Sequence, residues 1–396
     1  MKHASIIPLI GGETIASERV FGSKPEYIMS YSVFKDNDNH ILNHYNYEIP
    51  YYILDDEITN NKTPHVDIVS SVCPCAGLSQ LSMSFSEDNP ANDWMIKSTT
   101  HVLENVKPQV LWGENAPLFA GKTGTKVRNN LFNIAQNNGY TMTTYRTKSL
   151  FHGVPQVRER SFYFFWKGNK VPLLNYFRKD LKSIEDTILE TPNLNEELDQ
   201  PTNKKIPSEN PYYRFLFEEL KPGLTQQELI DSLEKPTGIF DIIEKEVDYS
   251  IVSKWMKKNG YEKEVKKCDY RYDKLASGKN IMRGEMIFPK NYINAFVGQV
   301  PSILLHPIED RYITYREALA IMGMPHDFQL INPRRNLNHI CQNVPVFTAM
   351  DMAGEVKAVL EGKREYVDAK HIFQSNHKQQ HERWDAEEYS TLDQFI

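Results

Sequence analysis

The sequence predicts a doubly wound α/β fold with a largely parallel sheet in its first 170 residues. Short apolar segments typical of buried strands alternate there with segments of helical periodicity. Strands that alternate with helices usually form an open parallel sheet, because each helix returns the chain to the edge where the next strand begins. After residue 170 the sequence becomes acidic and polar, with several prolines, which predicts a second, smaller domain.

Capping signals and apolar runs place the individual elements. Gly139 stands where a helix C-cap belongs. Thr314, with Glu317 three residues later, predicts a capping box at the start of a helix. The other predicted elements are strands over residues 27–31, 66–69, 109–112 and 160–165, and helices over residues 94–104, 126–138 and 346–360.

Composition narrows the class of protein. The chain has 396 residues, of which 40% are hydrophobic and 25% charged, so it can bury a core and form two or more domains. No run approaches the roughly 18 apolar residues of a membrane span, and no cleavable signal is present, so we expect a soluble, cytoplasmic protein without a membrane partner. Four scattered cysteines favour neither a disulfide scaffold nor a metal site.

Charge is distributed unevenly along the chain. The net charge is −6, yet residues 250–290 hold eleven Lys or Arg against five Asp or Glu. Tyr and Trp residues are interleaved with these cations, which include Lys257, Lys258 and Arg271. The stretch is either a solvated face or a face that contacts nucleic-acid phosphates.

The stretch SSVCPCAGLS raises the question of what Cys75 does. It follows a predicted strand, at the edge of the sheet where open α/β folds bind ligands. Cys75 is therefore either a buried small hydrophobic residue or a nucleophile at the mouth of a cleft. Glu114 ends the next strand, where it is either a capping or ion-paired residue or a proton donor whose pKa is raised by burial. Gln156, Arg158 and Arg160 share one face of an extended segment. This segment is either a solvated turn or a site where the two arginines bind an anion or a base edge.

Possible cofactor contacts lie nearer the N-terminus. Gly11 and Gly12 follow a short apolar run, where paired glycines allow a cofactor to approach the backbone. Acids after the second and third strands, Asp36, Asp55 and Asp56 among them, stand where a nucleoside-binding fold keeps a carboxylate for ribose hydroxyls.

Five segments in a fixed order resemble the motifs of the cytosine-C5 DNA methyltransferases of bacteria and phages. The resemblance covers about residues 1–170 and 300–360, and the stretch between corresponds to the family's variable target-recognition region. A Pro-Cys pair alone is weak evidence, but five motifs in order are highly specific. The segments are VDIVSSVCPCAGLS, KPQVLWGENAP, FHGVPQVRERSFYFF, RYITYREALAIMGMPHDF and ICQNVPVFTAMDMA.

The resemblance implies a Rossmann-like, S-adenosylmethionine-dependent methyltransferase domain with a smaller target-recognition domain. It also implies a polar closing loop over residues 82–95. The implied organisation is a catalytic and cofactor-binding segment over residues 1–175, a DNA-binding segment over 176–310, a returning segment over 311–365 and a C-terminal tail over 366–396.

Residue roles follow from the same resemblance. Cys75 would add to C6 of a flipped-out cytosine, and Glu114 would hydrogen-bond N3 and the exocyclic amine. Arg160 would hold the base carbonyl, and Arg158 would orient the site or a phosphate. The remaining implied assignments are cofactor binding by Gly11, Gly12, Asp36, Asp55, Asp56, Pro74, Gln342 and Asn343, and substrate binding by Ser79, Gln156, Lys257, Lys258 and Arg271.

Departures from the family pattern keep alternatives open. PLIGGET has two glycines where the family has three and lacks the usual aromatic residue, CQNVP replaces Gly-Asn-x-Val-Pro, and Ala76 replaces a glutamine. The cofactor pocket has therefore diverged while keeping S-adenosylmethionine, or the cofactor or alkyl group has changed. A tRNA or RNA cytosine-C5 methyltransferase is a further alternative. A DNA-binding protein that has lost catalysis is another, which the intact Cys75 and Glu114 argue against.

The resemblance also implies partners. We expect double-stranded DNA as substrate, since the recognition stretch is long, basic and rich in tyrosine. We expect a monomer on DNA in a bacterial cell, encoded by the bacterium or a phage, and a cognate restriction enzyme is a candidate partner.

Overall fold

The computed structural model describes residues 1–55, 63–79, 86–278 and 286–376. The chain divides into two compact units. Unit 1 comprises Met1–Leu181, Met322–Ile331 and Gln342–Ile396, and unit 2 comprises Lys182–Ile321 and Asn332–Cys341. The assignment of catalysis and of DNA recognition to particular segments of the chain stays a prediction.

Strands concentrate in the first half of the chain and return near its end. In chain order they are β1 (His3–Ile6), β2 (Ile28–Ser30), β3 (Tyr51–Ile53), β4 (Ile68–Val72), β5 (Val110–Asn115), β6 (Tyr140–Lys148), β7 (Gln156–Val157), β8 (Glu159–Lys167), β9 (Val171–Pro172), β10 (Thr237–Gly238), β11 (Ile287–Phe288), β12 (Ile293–Asn294), β13 (Tyr366–Val367) and β14 (His371–Ser375).

Helices occur throughout the described residues, and none of those is long and apolar enough to cross a bilayer. They are α1 (Gly12–Phe21), α2 (Lys35–His44), α3 (Asp93–His101), α4 (Thr125–Asn137), α5 (Ile184–Leu189), α6 (Pro211–Arg214), α7 (Gln226–Ser232), α8 (Ile239–Glu246), α9 (Tyr249–Lys258), α10 (Glu262–Ala276), α11 (Tyr315–Ile321), α12 (Pro333–Gln342) and α13 (Val346–Leu360).

Unit 1 is built on an eight-stranded sheet in the order β14-β6-β8-β5-β4-β1-β2-β3. Strand β8 is antiparallel to both β5 and β6, and the other neighbouring pairs are parallel. The predicted largely parallel sheet is therefore confirmed. Strands β1, β4 and β5 are buried at every position, as expected for a parallel sheet covered on both faces.

The strand order fixes where a ligand crevice belongs. From β1 the chain proceeds to β2 and β3 on one side, whereas β4 and β5 lie on the other side. The order reverses between β1 and β4, and open α/β sheets bind ligands at such a switch point, beyond the carboxyl ends of the strands. The segments that follow Ile6 and Val72 lie at this edge.

Most predicted elements of unit 1 occur within a few residues of their expected bounds, and the helix over residues 346–360 is confirmed as α13. Gly139 follows α4 with φ +78°, as its predicted C-cap place requires. Strands β6 and β14 of the eight-stranded sheet were not predicted. β6 carries four threonines, and β14 lies in the segment expected to be a tail, yet β14 pairs with β6 along five residues.

Unit 2 is mainly helical in its described part. The acidic, polar stretch 180–250 contains helices α5–α8 and contributes to a buried core that includes Tyr212, Phe215 and Phe240. Pro207 and Pro211 stand at the first turns of helical segments, where proline is tolerated, so they begin elements rather than interrupt them. The capping box of Thr314 and Glu317 is confirmed, with N–H···O distances of 2.8 and 3.1 Å.

Candidate active site

The nucleophile candidate and the acid candidate lie on neighbouring strands. Val72, the last residue of β4, pairs in register with Glu114 of β5. Cys73, Pro74 and Cys75 continue from β4 beyond that carboxyl edge. Cys75 is half-buried and Glu114 is buried. The parallel pairing of β4 with β5 therefore brings both residues to the switch-point edge.

The arginines approach from β8, on the other side of β5. Glu114 faces Phe162 in the antiparallel ladder, so Arg160 lies two residues beyond the paired position. The Nε of Arg160 forms an ion pair with Glu114 Oε1. Arg158 is buried, and its Nη2 donates to the carbonyl oxygen of Asn343 at 3.0 Å.

Electrostatics link these four side chains. Burial raises the pKa of the Cys75 thiol, while Arg160 and Arg158 lower it and Glu114 raises it further. Burial also raises the pKa of Glu114, against the lowering effect of Arg160 and Arg158. The charges of both arginines act on the pKa of Cys75 and on that of Glu114, so Cys75, Glu114, Arg158 and Arg160 form one site. A nucleophile, a proton donor and two guanidiniums are thus available together.

The predicted substrate contacts have different surroundings. Gln156 is fully buried, with Nε2 3.2 Å from the Sδ of Met322. Ser79 is half-buried and ends a described range. Residues 82–85 of the predicted closing loop lie outside the described residues, and the loop's later part includes a 3-10 turn over Pro90–Asn92 capped by Asn89.

The turn after β1 bends without the expected number of glycines. Ile7, Leu9 and Gly11 all have positive φ, of 52°, 54° and 92°. Left-handed backbone is costly for residues with a Cβ, and most unusual for a β-branched residue such as Ile7. Such strain clusters at ligand sites, where the surrounding structure holds it in place. Leu9 therefore supplies a conformation that the sequence pattern assigned to glycine.

Gly11 and Gly12 have a packing role of their own. A Cβ on Gly11 would lie 2.4 Å from Ile41 Cδ1, and one on Gly12 would lie 2.5 Å from Asn343 Oδ1. The backbone N–H of Gly12 donates to Asn343 Oδ1 at 2.9 Å. Asn343, which also accepts from Arg158 through its carbonyl oxygen, therefore joins the turn after β1 to the arginine of the site.

The predicted acids occupy three kinds of place. Asp36 is exposed in the first turn of α2 rather than at the end of β2. Its neighbour Asp38 is buried, and burial raises the pKa of this carboxyl to about 7. Asp55 follows β3 and accepts from the backbone N–H of Ser32 at 2.8 Å and from the Ser32 hydroxyl. Asp56 lies outside the described residues.

The carboxyl ends of β2 and β3 offer groups that fit a nucleoside. Tyr31 and Trp94 have ring centroids 4.9 Å apart, and Lys97 Nζ lies 4.4 Å from the Tyr31 centroid. The Asp55 carboxylate is partly exposed, 3.9 Å from Lys97. Tyr31 is buried and Trp94 is half-buried, so an accessible carboxylate lies near one aromatic ring that a ribose or a purine could contact. Gln342, predicted as a cofactor contact, is exposed, and its Oε1 accepts from Asn37 Nδ2 at 3.1 Å.

A buried hydroxyl cluster behind the nucleophile was not foreseen. The Sγ of Cys73 lies 3.3 Å from the hydroxyls of Ser71 and Ser98 and 3.8 Å from Tyr163 Oη. Gly113 leaves room for Tyr163, since a Cβ there would lie 2.4 Å from that oxygen. The adjacent serines Ser70 and Ser71 of β4 were the available signal in the sequence. Cys73 is therefore buried and held by hydroxyl groups, whereas Cys75 is half-buried.

The predicted DNA contacts of unit 2 fall into two groups. Lys257 and Lys258 are exposed at the end of α9. Arg271 instead lies with its guanidinium carbon 3.6 Å from the Phe240 ring centroid and 5.7 Å from that of Tyr249. Its Nη1 is buried. Arg271 therefore packs on the core of unit 2, because its position in α10 turns it inward beside the buried Cys268.

Solved structures share this fold at low sequence identity. A DNA modification methyltransferase encoded within an E. coli prophage superposes with a TM-score of 0.57 and 17% identity, over 91% of this chain and 99% of that one. The Entamoeba histolytica methyltransferase EhMeth gives 0.52 and 15%, over 91% and 98%. The S. pombe Dnmt2 methyltransferase gives 0.51 and 11%, over 91% and 99%. These likenesses support a methyltransferase Rossmann-like fold.

Sequence comparison identifies the family. No curated protein sequence matches the chain. The family model of the C-5 cytosine-specific DNA methylases matches residues 1–358, which is most of the chain and includes the four residues of the site. The chain therefore belongs to the C-5 cytosine-specific DNA methylase family and is a DNA cytosine-5-methyltransferase.

Proposed function

We propose that the protein methylates C5 of a flipped-out cytosine in duplex DNA, with S-adenosylmethionine as methyl donor and Cys75 as nucleophile. The observation that carries this proposal is the convergence of Cys75, Glu114, Arg158 and Arg160 at the switch-point edge. The target carbon C6 is out of reach in a stacked duplex, so the base must leave the helix to meet this site.

The order of bond changes follows from cytosine chemistry. C5 is a poor nucleophile until the Cys75 thiolate adds to C6, because addition leaves C5 as an enamine-like carbon. The electron pair that the addition displaces moves through the ring to N3, which takes a proton from Glu114 and leaves Glu114 as a carboxylate. After C5 gains the methyl group, it loses its proton to a base, and the C6–S bond breaks to release Cys75.

Arg160 couples base binding to the protonation of Glu114. In the free protein Arg160 lowers the pKa of Glu114, against the effect of burial. If Arg160 turns to the carbonyl of the incoming base, Glu114 loses that opposing charge and its pKa rises. Base binding would then favour the protonated Glu114 that the addition step needs.

The methyl donor belongs at the carboxyl ends of β1 to β3. When bound there, S-adenosylmethionine supplies an electrophilic methyl group. Asp55 would bind its ribose or adenine, and the half-buried Trp94 would offer an apolar face. The turn of residues 7–12, held by Asn343, would contact its amino-acid part through backbone groups. Asp36, Asp56, Pro74 and Gln342 stay predicted contacts of this donor.

Unit 2 is our candidate for target recognition, and the sheet of unit 1 for catalysis. Lys257 and Lys258, exposed at the end of α9, support this division of work. We also propose a monomer on DNA, acting in a bacterial cytoplasm as a host or phage enzyme. A cognate restriction enzyme is a candidate partner.

A direct test measures the product. The protein is incubated with S-adenosylmethionine and unmodified genomic DNA, and the digested nucleosides are searched by mass spectrometry for 5-methyldeoxycytidine. We expect the product with wild type and Cys73→Ser, none with Cys75→Ser, and a rate loss of about 10²-fold or more with Glu114→Gln. Unchanged product from Cys75→Ser would refute the nucleophile.

A second readout reports the covalent bond itself. A duplex with 5-fluorocytosine at the target has no C5 proton to lose, so the protein should stay attached through Cys75 on a denaturing gel. Cys73→Ser is the matched control, since that thiol is buried two residues away. A different alkyl mass on the cytosine, or transfer to tRNA alone, would instead favour an altered donor or an RNA substrate.

A further inference from the structure

Helix α10 of unit 2 carries a stripe of lysines on its outer side. At about 100° per residue, Lys263, Lys266, Lys267 and Lys274 fall within an arc of about 100°, and Tyr270 falls inside the same arc. No acidic residue of the helix shares this arc. The opposite side holds Cys268, which is fully buried in the core of unit 2. The inner face therefore fixes the direction in which the lysines point.

The stripe is accessible. Lys263, Lys266 and Lys267 are exposed, and Tyr270 is 57% exposed. Lys274 Nζ lies 5.3 Å from the Tyr270 ring centroid, so this cation is held against an aromatic face. The acidic residues Asp269 and Asp273 fall outside the arc, on one flank. The charges of the helix are thus sorted by face.

A cleft of about 340 Å³ adjoins the stripe. Lys267 lines it from α10, and Lys204 and Lys205 line it from the loop before α6. The wall between them includes Tyr212, which is buried and has its hydroxyl 3.7 Å from Cys268 Sγ. Glu209 and Glu264 also contribute to the lining, and Glu264 Oε1 lies 2.8 Å from Lys267 Nζ.

We propose that this lysine surface, consisting of Lys204, Lys205, Lys263, Lys266, Lys267 and Lys274, binds the phosphodiester backbone of duplex DNA. The inference rests on the proposed function and names where unit 2 contacts the substrate. From Lys263 to Lys274 the helix rises about 16 Å, the length of about five base pairs. Lysines that bind phosphates supply affinity without sequence preference, and so set the position of the protein on DNA.

This lysine surface differs from the basic stretch of residues 250–290 that the distribution of charge along the sequence indicates. Arg271 lies in the same basic stretch but packs on Phe240, so it is excluded. Lys204 and Lys205 lie about 60 residues earlier in the chain and are brought to Lys267 by the fold. The cations also stand against a net charge of −6 for the whole protein, so they are a local feature of unit 2.

The test is the salt dependence of binding to a fluorescent duplex without a target site. The slope of log K against log salt is about −0.9 per phosphate contact. The triple variant Lys263→Ala, Lys266→Ala and Lys267→Ala should flatten this slope by about 2 to 3 and weaken binding at low salt by about tenfold or more. Lys204→Ala with Lys205→Ala is an independent variant on the other wall, with an expected flattening of about 2.

Matched controls show whether the change in DNA binding comes from the charges of the lysine surface. Lys221→Ala removes a partly exposed lysine of unit 2 that is paired with Glu246, and it should leave the slope unchanged. Asp273→Asn removes a flanking negative charge and should tighten binding. Thermal melts of all variants check that they are folded. An unchanged slope in both lysine variants overturns the inference, as does weaker binding of tRNA with unchanged binding of duplex DNA.

Methyl transfer by the wild-type protein is measured in the same preparation. If wild type methylates DNA and the lysine variants keep its slope, only the inference about this surface fails. If wild type forms no methylated cytosine in DNA, the proposed function fails. A flattened slope together with wild-type methylation supports both.

Discussion

The buried carboxyl groups near the turn after β1 hold protons at unusually high pH. Glu13 is fully buried in α1, where its oxygens accept from Ser5 at 3.2 Å and from Thr14 at 3.3 Å. Burial raises the pKa of Glu13 to about 7, and that of Asp38 to about 7. Hydroxyl groups can serve a neutral carboxyl but cannot replace the water that a carboxylate needs.

Because these carboxyl groups keep their protons in the folded protein, they make its stability decrease as pH rises. An unfolded Glu has a pKa near 4.5, so between about 4.5 and 7 the folded Glu13 keeps a proton that the unfolded chain has lost. The free energy of unfolding therefore falls as pH rises through this window. Glu13→Gln, which stays neutral, should remove part of this fall, by up to about 3 kcal/mol. Asp38 should retain the rest.

Denaturant melts at pH 5 and pH 8 measure this effect. Glu26→Gln, at an exposed position, is the matched control and should keep the wild-type pH dependence. Equal losses of stability on going from pH 5 to pH 8 in wild type and Glu13→Gln would show that Glu13 is not the group that titrates. The residue identity alone did not reveal this site, because a Glu after a glycine pair is usually an exposed first-turn acid.

At the scale of elements, the sequence predicted the helices and strands whose structure depends on local signals within the segment itself. Helix α13 and the capping box of Thr314 are examples, since periodicity and caps are local signals. Strand β6 is rich in threonine and has no apolar alternation, and its identity comes from β8 and β14 on either side. The same holds for α10, where the basic sequence did not show which cations face outward.

Arg271 provides a test at this scale. Its guanidinium covers the Phe240 ring from α10, and its aliphatic part packs with the helix. Arg271→Ala should lower the free energy of unfolding by about 1 to 2 kcal/mol, because a cation–π contact and packing are lost together. Lys266→Ala, an exposed position on the same helix, should change stability by less than about 0.5 kcal/mol.

Thermal denaturation followed by circular dichroism measures both variants. If Arg271→Ala melts like wild type but binds duplex DNA more weakly, then Arg271 is a DNA contact, as charge alone had suggested. A loss of stability with an unchanged salt slope would assign Arg271 to the core of unit 2.

At the scale of the whole molecule, residues far apart in sequence complete both the site and the sheet. Cys75, Glu114 and the arginines could be predicted because their motifs are local and ordered. The link from Gly12 through Asn343 to Arg158 could not, since its two contacts join positions 331 and 185 residues apart. Pair contacts of this kind depend on the register and packing of the completed fold, which a single sequence does not display.

Asn376, the last residue that the structure describes, also makes contacts that depend on the completed fold. Asn376 is fully buried directly after β14. Its Nδ2 donates to Thr147 Oγ1 at 3.1 Å and to the Phe177 carbonyl at 3.0 Å, and its Oδ1 accepts from the Phe177 N–H at 3.0 Å. Thr147 Oγ1 in turn lies 2.8 Å from His152 Nε2. Asn376 thus ties the end of the sheet to β6 and to the chain after β9.

Asn376→Ala should lower the free energy of unfolding by about 1 to 3 kcal/mol, because it leaves buried backbone groups of Phe177 without their partner. Asn376→Asp keeps the acceptor for the Phe177 N–H but loses both donated bonds, so we expect at least as large a loss. Phe373→Ala, at a half-exposed position of β14, is the control and should have a smaller effect. Denaturant melts with hydrogen exchange of β6 and β14 measure these differences. Wild-type exchange in Asn376→Ala would mean that β14 holds its place through the parallel ladder with β6 alone.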